Sequence, residues 1–132
     1  MKKERIAAIS YGVLSIVVIA FELALAAGAP WGEFARGGAY PGQFPPEARV
    51  GSVVQAVILA LLALVVLSRA GVALSKWSRA SRWAIWIAVV FCSLFLVLNT
   101  FMATAGERAI WMPVALIMTV SSVIVAMSKP LP

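Results

Sequence analysis

Three polar side chains within apolar segments are the residues of this sequence best suited to chemistry. Glu22 is the one ionisable side chain expected inside the hydrocarbon region of a membrane, and Gln55 and Asn99 are primary amides in two other apolar segments. Each lies about five residues from one end of its segment, or roughly 7–8 Å along a helix. The sequence therefore predicts a layer that contains one carboxyl and two amides.

This polar layer has three interpretations. A carboxyl is costly in lipid, so Glu22 should face the bundle interior or a wet cavity, where it could titrate or bind a cation or ligand. Alternatively, the three side chains hydrogen-bond to one another and fix the packing of the helices. In the third interpretation, Glu22 pairs with Arg36 or Arg108 from the outer connectors and clamps them shut.

The elements that carry this layer are predicted to be four transmembrane helices. The chain has 132 residues, of which 63% are hydrophobic and 12% charged. Because a helix needs about 20 apolar residues to cross a bilayer, the spans are predicted at residues 6–28, 50–67, 83–105 and 110–127. The first is too long for the apolar core of a signal peptide, so we expect it to be retained. The predicted fold class is an all-α, four-helix transmembrane bundle.

The basic residues predict the orientation of the chain. Both termini and the connector at residues 68–82 carry eight Lys and Arg residues, whereas the other two connectors carry three. This excess places both termini and the basic connector in the cytoplasm, where the connector would meet anionic lipid headgroups. Since these charges flank apolar segments, the net charge of +6 does not indicate nucleic-acid binding.

The long outer loop, residues 29–49, has an unusual composition. Several Gly and Pro residues favour tight turns, yet four aromatic residues are spread through it: Trp31, Phe34, Tyr40 and Phe44. A solvated linker has no need of so many aromatic side chains. We therefore expect the loop to cover the outer ends of the helices and to place Trp31 in the pocket that holds the polar layer.

The connection between the third and fourth spans is short. Gly106 is expected to end the third helix and Glu107 to begin the fourth. Pro113 is compatible with a fourth helix that starts near residue 111, whereas an earlier start predicts a kink.

Enzyme chemistry has little support in the sequence. With one Cys and no His, the chain lacks the residues for an intrachain disulfide, a Cys/His metal site or a His-based triad. We predict no catalytic residue, no metal and no cofactor. A lipid-modifying enzyme is the least supported class, because the groups needed for acid–base catalysis are nearly absent.

A short set of motifs resembles a group of small uncharacterised bacterial four-span membrane proteins. These motifs are residues 28–32 (GAPWG), Gly37-Gly38, and Glu107-Arg108 followed by Trp111 and Pro113. The resemblance covers most of the chain and implies a bacterial inner membrane, but it implies no activity.

Two functions fit these expectations. The first is non-enzymatic binding of a small apolar or lipid-like ligand, or of a partner subunit, around Glu22, Gln55 and Asn99. The second is a proton- or cation-coupled transporter or channel that uses Glu22. Because four helices enclose little volume, the second function requires a homo-oligomer.

Overall fold

A computed structural model describes residues 2–72, 76 and 81–128 of the chain. They form four long helices, α1 (Lys2–Ala26), α2 (Pro46–Arg69), α3 (Ser81–Phe101) and α4 (Ala105–Ala126), and no strand lies in these ranges. All four helices are long and apolar enough to cross a membrane. The predicted all-α, four-helix transmembrane fold is confirmed, and the chain is a multi-pass integral membrane protein.

The four helices pack as a ring in chain order. Each helix contacts the next one along the chain, and α4 closes the ring against α1. A hydrogen bond from Arg69 to the carbonyl of Ser128 joins the ends of α2 and α4, and Lys3 and Glu4 lie beside the same end of α4. We call this the terminal end of the bundle and the opposite one the loop end. The orientation of these two ends in a membrane stays a prediction.

Small and apolar side chains fill the interior toward the terminal end. Tyr11, Leu59, Cys92 and Met118, one from each helix, are almost fully buried. Alanine and serine at further contact positions allow the helix backbones to approach closely, as packing in lipid requires. Large apolar residues such as Ile16, which is 67% exposed, cover the outside of the bundle. This distribution is the one expected for a bundle whose surroundings are hydrocarbon.

The helix boundaries differ from the prediction most clearly between α3 and α4. The third span was expected to run to residue 105, but α3 ends at Phe101 and α4 already begins at Ala105. The reason is an N-cap, since the hydroxyl of Thr104 accepts a 3.2 Å hydrogen bond from the backbone N–H of Glu107. Gly106 therefore lies in the first turn of α4 and does not end α3.

The early start of α4 places Pro113 inside the helix. Its ring nitrogen cannot donate a hydrogen bond to the carbonyl of Ala109, so this is the case for which the sequence predicts a kink.

The predicted basic connector, residues 68–82, is described only in part. Residues 73–75 and 77–80 lie outside the described ranges, and with them the basic residue Arg79. Trp83 and Trp86, at the start of α3, are exposed on the outside of the bundle, a position suited to a membrane–water interface.

Candidate functional site

The segment between α1 and α2, residues 27–45, folds over the loop end of the bundle, and we call it the cap loop. It contains two 3₁₀ turns, Gly32–Phe34 and Arg36–Gly38. The loop is closed on itself by a 2.9 Å hydrogen bond from the backbone N–H of Gly32 to the carbonyl of Gly42. A Cβ atom at Gly32 would lie 1.8 Å from the carbonyl oxygen of Tyr40, so the closed loop has room only for glycine there.

The cap loop is hydrogen-bonded to the start of α4. The backbone N–H of Gly37 donates to Oε2 and Oε1 of Glu107, at 3.1 and 3.3 Å. The indole Nε1–H of Trp111, one helical turn further along, donates to the carbonyl of Phe34 at 2.8 Å. Gly37 has a left-handed backbone, with φ of 64°, a conformation that glycine adopts without steric cost.

Two further glycines allow the loop and α4 to approach closely. A Cβ atom at Gly38 would lie 2.8 Å from the Thr104 side chain, and one at Gly106 would lie 2.9 Å from the Phe34 ring. Gly37-Gly38 and Glu107 with Trp111, which the sequence analysis singled out as motifs, therefore meet at one interface.

Arg36 connects the cap loop to the first two helices. Its Nη2 lies 3.6 Å from Oε2 of Glu22 on α1 and donates a 3.2 Å hydrogen bond to Oγ of Ser52 on α2. The guanidinium group also lies over the Phe44 ring, 5.4 Å from its centroid. Arg36 has an unfavourable φ of 52° for a residue with a Cβ, and these three contacts offset that strain.

A cavity of about 470 Å³ lies beneath the cap loop. The structure brings the predicted layer together here, because Glu22, Gln55 and Asn99 all line this cavity. Arg36 and Glu107 are its other charged lining residues. The rest of the wall is mainly apolar and is formed by Val18, Phe21, Phe34, Phe95, Leu98, Met102 and Trp111.

Glu22 is the least satisfied polar group of the cavity. Its side chain is only 8% exposed, and Oε2 has no hydrogen-bond partner among the described residues. The 3.6 Å separation from Arg36 is an ion-pair distance but is too long for a good hydrogen bond. A buried carboxylate oxygen therefore borders the cavity with spare capacity to accept a hydrogen bond.

The two amides do not supply that bond. Asn99 uses its Nδ2 to donate to the carbonyl of Phe95 at 2.8 Å, which leaves its Oδ1 as an acceptor. Within the described part of the chain, no hydrogen bond joins Glu22, Gln55 and Asn99 to one another. This arrangement differs from the one in which the layer serves only to hold the helices together.

Two residues predicted at the site lie outside the cavity wall. Trp31 is 46% exposed and stacks on the outer side of Phe21, with ring centroids 6.3 Å apart. Arg108 donates to the carbonyls of Thr100 and Ala103, at 2.9 and 3.2 Å, and so stabilises the turn between α3 and α4. Arg36, and not Arg108, is the arginine beside Glu22.

The bundle below the cavity is filled. The hydroxyl of Tyr11 and the thiol of Cys92 are in contact at 3.4 Å, and Leu59 and Met118 are fully packed at about this level. Ser15, also buried, lies on α1 between Tyr11 and Glu22. The cavity is therefore a pocket at the loop end and does not continue through the packed core.

The structure adds site residues that sequence reasoning did not assign. Glu107 was expected only to begin the fourth helix, Trp111 only to carry a motif, and Ser52 had no expected role. One signal was available in the sequence, because Glu107 is an acidic residue in the same set of motifs as Gly37-Gly38. No group of three or more Cys, Asp or Glu side chains in the described ranges is placed to hold a metal ion.

Comparison with known proteins finds no match for this chain. No protein-family profile matches it, and searches of curated proteins and of solved structures give no significant match. Arguments about function therefore depend on the site alone.

Proposed function

We propose that this integral membrane protein binds a small lipid-like amphiphile in the cavity beneath the cap loop and catalyses no reaction on it. The observation that carries the proposal is the buried Oε2 of Glu22, which borders a largely apolar cavity and makes no hydrogen bond to the described residues, its ion-pair contact with Nη2 of Arg36 being 3.6 Å long. A buried acceptor without a hydrogen bond costs roughly 1–3 kcal/mol. The ion pair offsets part of that cost, and a ligand that donates to Oε2 would offset more of it.

The size and lining of the cavity support a ligand of this kind. Its volume of about 470 Å³ lies within the range of roughly 300–1,000 Å³ that is usual for small-molecule sites. Apolar and aromatic side chains suit a hydrocarbon tail, and the polar groups of Glu22, Gln55 and Asn99 suit a head group.

The bilayer is the proposed source of the ligand. Leu98 lines the cavity and is also 47% exposed on the outside of α3, so the cavity wall reaches the lipid-facing surface there. Of the four neighbouring helix pairs, α2 and α3 pack least extensively against each other. We propose that the ligand enters sideways between these two helices.

The packed core disfavours transport through a single copy of the chain. A proton or cation released from Glu22 toward the terminal end would meet the buried contact between Tyr11 and Cys92. A transport function would need a path between subunits. We also propose that the cap loop lies outside the cell, which the distribution of basic residues supports. Placement in a bacterial inner membrane is proposed on the resemblance alone.

Photo-crosslinking in lipid nanodiscs tests the proposal. A lipid-like alkyl probe with a diazirine group should label the segment around Phe95 and Leu98, and an excess of the same probe without the diazirine should suppress that labelling. Leu98→Trp should block the entrance and abolish the competed labelling. Leu94→Trp, one turn away on the lipid-facing side of α3 and outside the cavity wall, is the matched control. Equal labelling of both variants would refute the proposed entrance, and labelling that cannot be competed would refute the binding site.

A further inference from the structure

We infer that the cavity selects an amphiphile whose head group is a protonated amine, an inference that rests on the proposed binding of a lipid-like ligand. Three features of the cavity favour an ammonium head group over a neutral or anionic one. They are the balance of its charges, its hydrogen-bonding groups and its aromatic rings.

The charged side chains of the cavity have an acidic excess. Glu22 and Glu107 supply two carboxyl groups, and Arg36 supplies the one guanidinium among the lining residues. A phosphate or carboxylate head group would be repelled by the two carboxylates, whereas a cationic head group would neutralise the negative charge that Arg36 leaves unbalanced. The charge of the cavity therefore disfavours the anionic lipids that basic proteins commonly bind.

The buried atom of the cavity lining that makes no hydrogen bond to the described residues is an acceptor, Oε2 of Glu22, with Nη2 of Arg36 3.6 Å away. Asn99 donates one Nδ2 hydrogen to the carbonyl of Phe95, and its Oδ1 is a second acceptor. The amides of Gln55 and Asn99 also offer N–H donors, but neither carries a charge. An acceptor can be satisfied only by an N–H or O–H group of the ligand. A primary ammonium carries three such hydrogens, while an alcohol carries one and a carboxylate carries none.

Aromatic rings complete the site for a cation. Phe21, Phe34, Phe95 and Trp111 line the cavity, and the rings of Phe21 and Trp111 lie 4.7 Å apart at an angle of 58°. The faces of such rings attract cations, and indole does so most strongly. An alcohol would satisfy an acceptor but would gain nothing from the rings or from the acidic excess.

Arg36 has two contacts besides the one with Glu22. A ligand bound at Oε2 of Glu22 would leave in place the hydrogen bond of Arg36 to Ser52 and its position over the Phe44 ring. A ligand ammonium can therefore donate to Oε2 of Glu22 while Arg36 continues to hold the cap loop on α2.

The test ranks three amphiphiles that share one alkyl chain: decylamine, decanol and decanoate. Each competes with the photoactivatable alkyl probe in nanodiscs of zwitterionic phospholipid, and its bilayer concentration is calibrated with protein-free discs. Decylamine should compete at a concentration at least about tenfold lower than decanol, because charge-assisted hydrogen bonds are about twice as strong as neutral ones. Decanoate should be the weakest competitor.

Two isosteric variants test whether Glu22 is the source of the preference for decylamine over decanol. Glu22→Gln should remove the preference for decylamine over decanol. Glu33→Gln makes the same charge change at an exposed position of the cap loop outside the cavity, and it should leave the preference intact. If Glu22→Gln does not fold, the ranking in the unaltered protein still decides the question.

The outcomes separate this inference from the proposed function. Equal competition by decylamine and decanol would overturn the ammonium head group but leave a lipid-binding site. Strongest competition by decanoate would also overturn it and would make Arg36 the partner of the head group. If none of the three competes while the probe labels the protein, both the inference and the proposed function fail.

Discussion

The backbone N–H of Gly37 donates to both carboxylate oxygens of Glu107, a residue 70 positions later in the chain. This contact joins the cap loop to the first turn of α4, and Glu107 is buried beneath it. The carboxylate of Glu107 therefore attaches the cap loop to α4 through the backbone of the loop.

Glu107→Ala should therefore loosen the cap loop. The substitution leaves the N–H of Gly37 without its acceptor at a cost of roughly 1–3 kcal/mol, so amide hydrogen exchange in residues 27–45 should become faster. Hydrogen–deuterium exchange mass spectrometry in detergent micelles measures this directly. Glu33→Ala, at an exposed position on the same loop, is the control, and equal exchange in the two variants would refute the role of Glu107.

Alanine substitutions at two glycines of the cap loop distinguish a steric clash from backbone strain. Gly42 has a left-handed φ of 80° but nothing within 4 Å of a built Cβ, so Gly42→Ala should cost only about 1–2 kcal/mol of strain. At Gly32 a Cβ would lie 1.8 Å from the carbonyl oxygen of Tyr40, and the backbone must move to admit it.

Gly32→Ala should therefore expose the cap loop to limited proteolysis at protease concentrations that leave Gly42→Ala intact. The α-helical content measured by circular dichroism should stay the same in both variants, because neither glycine lies in one of the four long helices. A reversed order of protease sensitivity would contradict the packing described for Gly32.

The distribution of basic residues predicts that the cap loop faces the outside and the terminal end faces the cytoplasm. A membrane-impermeant maleimide should label Glu33→Cys in intact cells but should label Lys76→Cys only after the membrane is permeabilised, since both positions are exposed. The native Cys92 is buried and should stay unlabelled in each case, so it provides an internal control. The opposite pattern of labelling would invert the topology.

The spans and the polar layer were predictable because they depend on distances along the chain. Hydrophobic length determines which segments cross a membrane, and in antiparallel helices the distance from one end determines depth. Glu22, Gln55 and Asn99 line one cavity for this reason. The helix count required no knowledge of side-chain contacts.

The cap loop was less predictable because its contacts depend on backbone dihedral angles. Aromatic content alone does not show which ring turns inward, and the loop buries Phe44 while Trp31 stays outside. Consecutive side chains of a helix point about 100° apart, so the residue at which α4 begins determines which side chain faces the cap loop. Because α4 begins at Ala105, Glu107 faces Gly37 and Arg108 faces the end of α3.

Arg36 and Glu22 should be coupled in their contributions to the free energy of unfolding, although Nη2 of Arg36 and Oε2 of Glu22 are 3.6 Å apart. Removal of either partner leaves the other charge uncompensated at the edge of the cavity, so Arg36→Gln and Glu22→Gln should each destabilise the protein. The double variant should lose less stability than the sum of the two single losses, by about 0.5–3 kcal/mol. Urea or dodecyl sulfate unfolding in mixed micelles measures the loss of stability of the three variants relative to the unaltered chain.

The control is a second double-variant cycle with Arg108→Gln in place of Arg36→Gln. Its two losses of stability should be additive, because Arg108 is hydrogen-bonded to the turn between α3 and α4. Additivity in both cycles would show that Arg36 holds the cap loop through Ser52 and Phe44 alone.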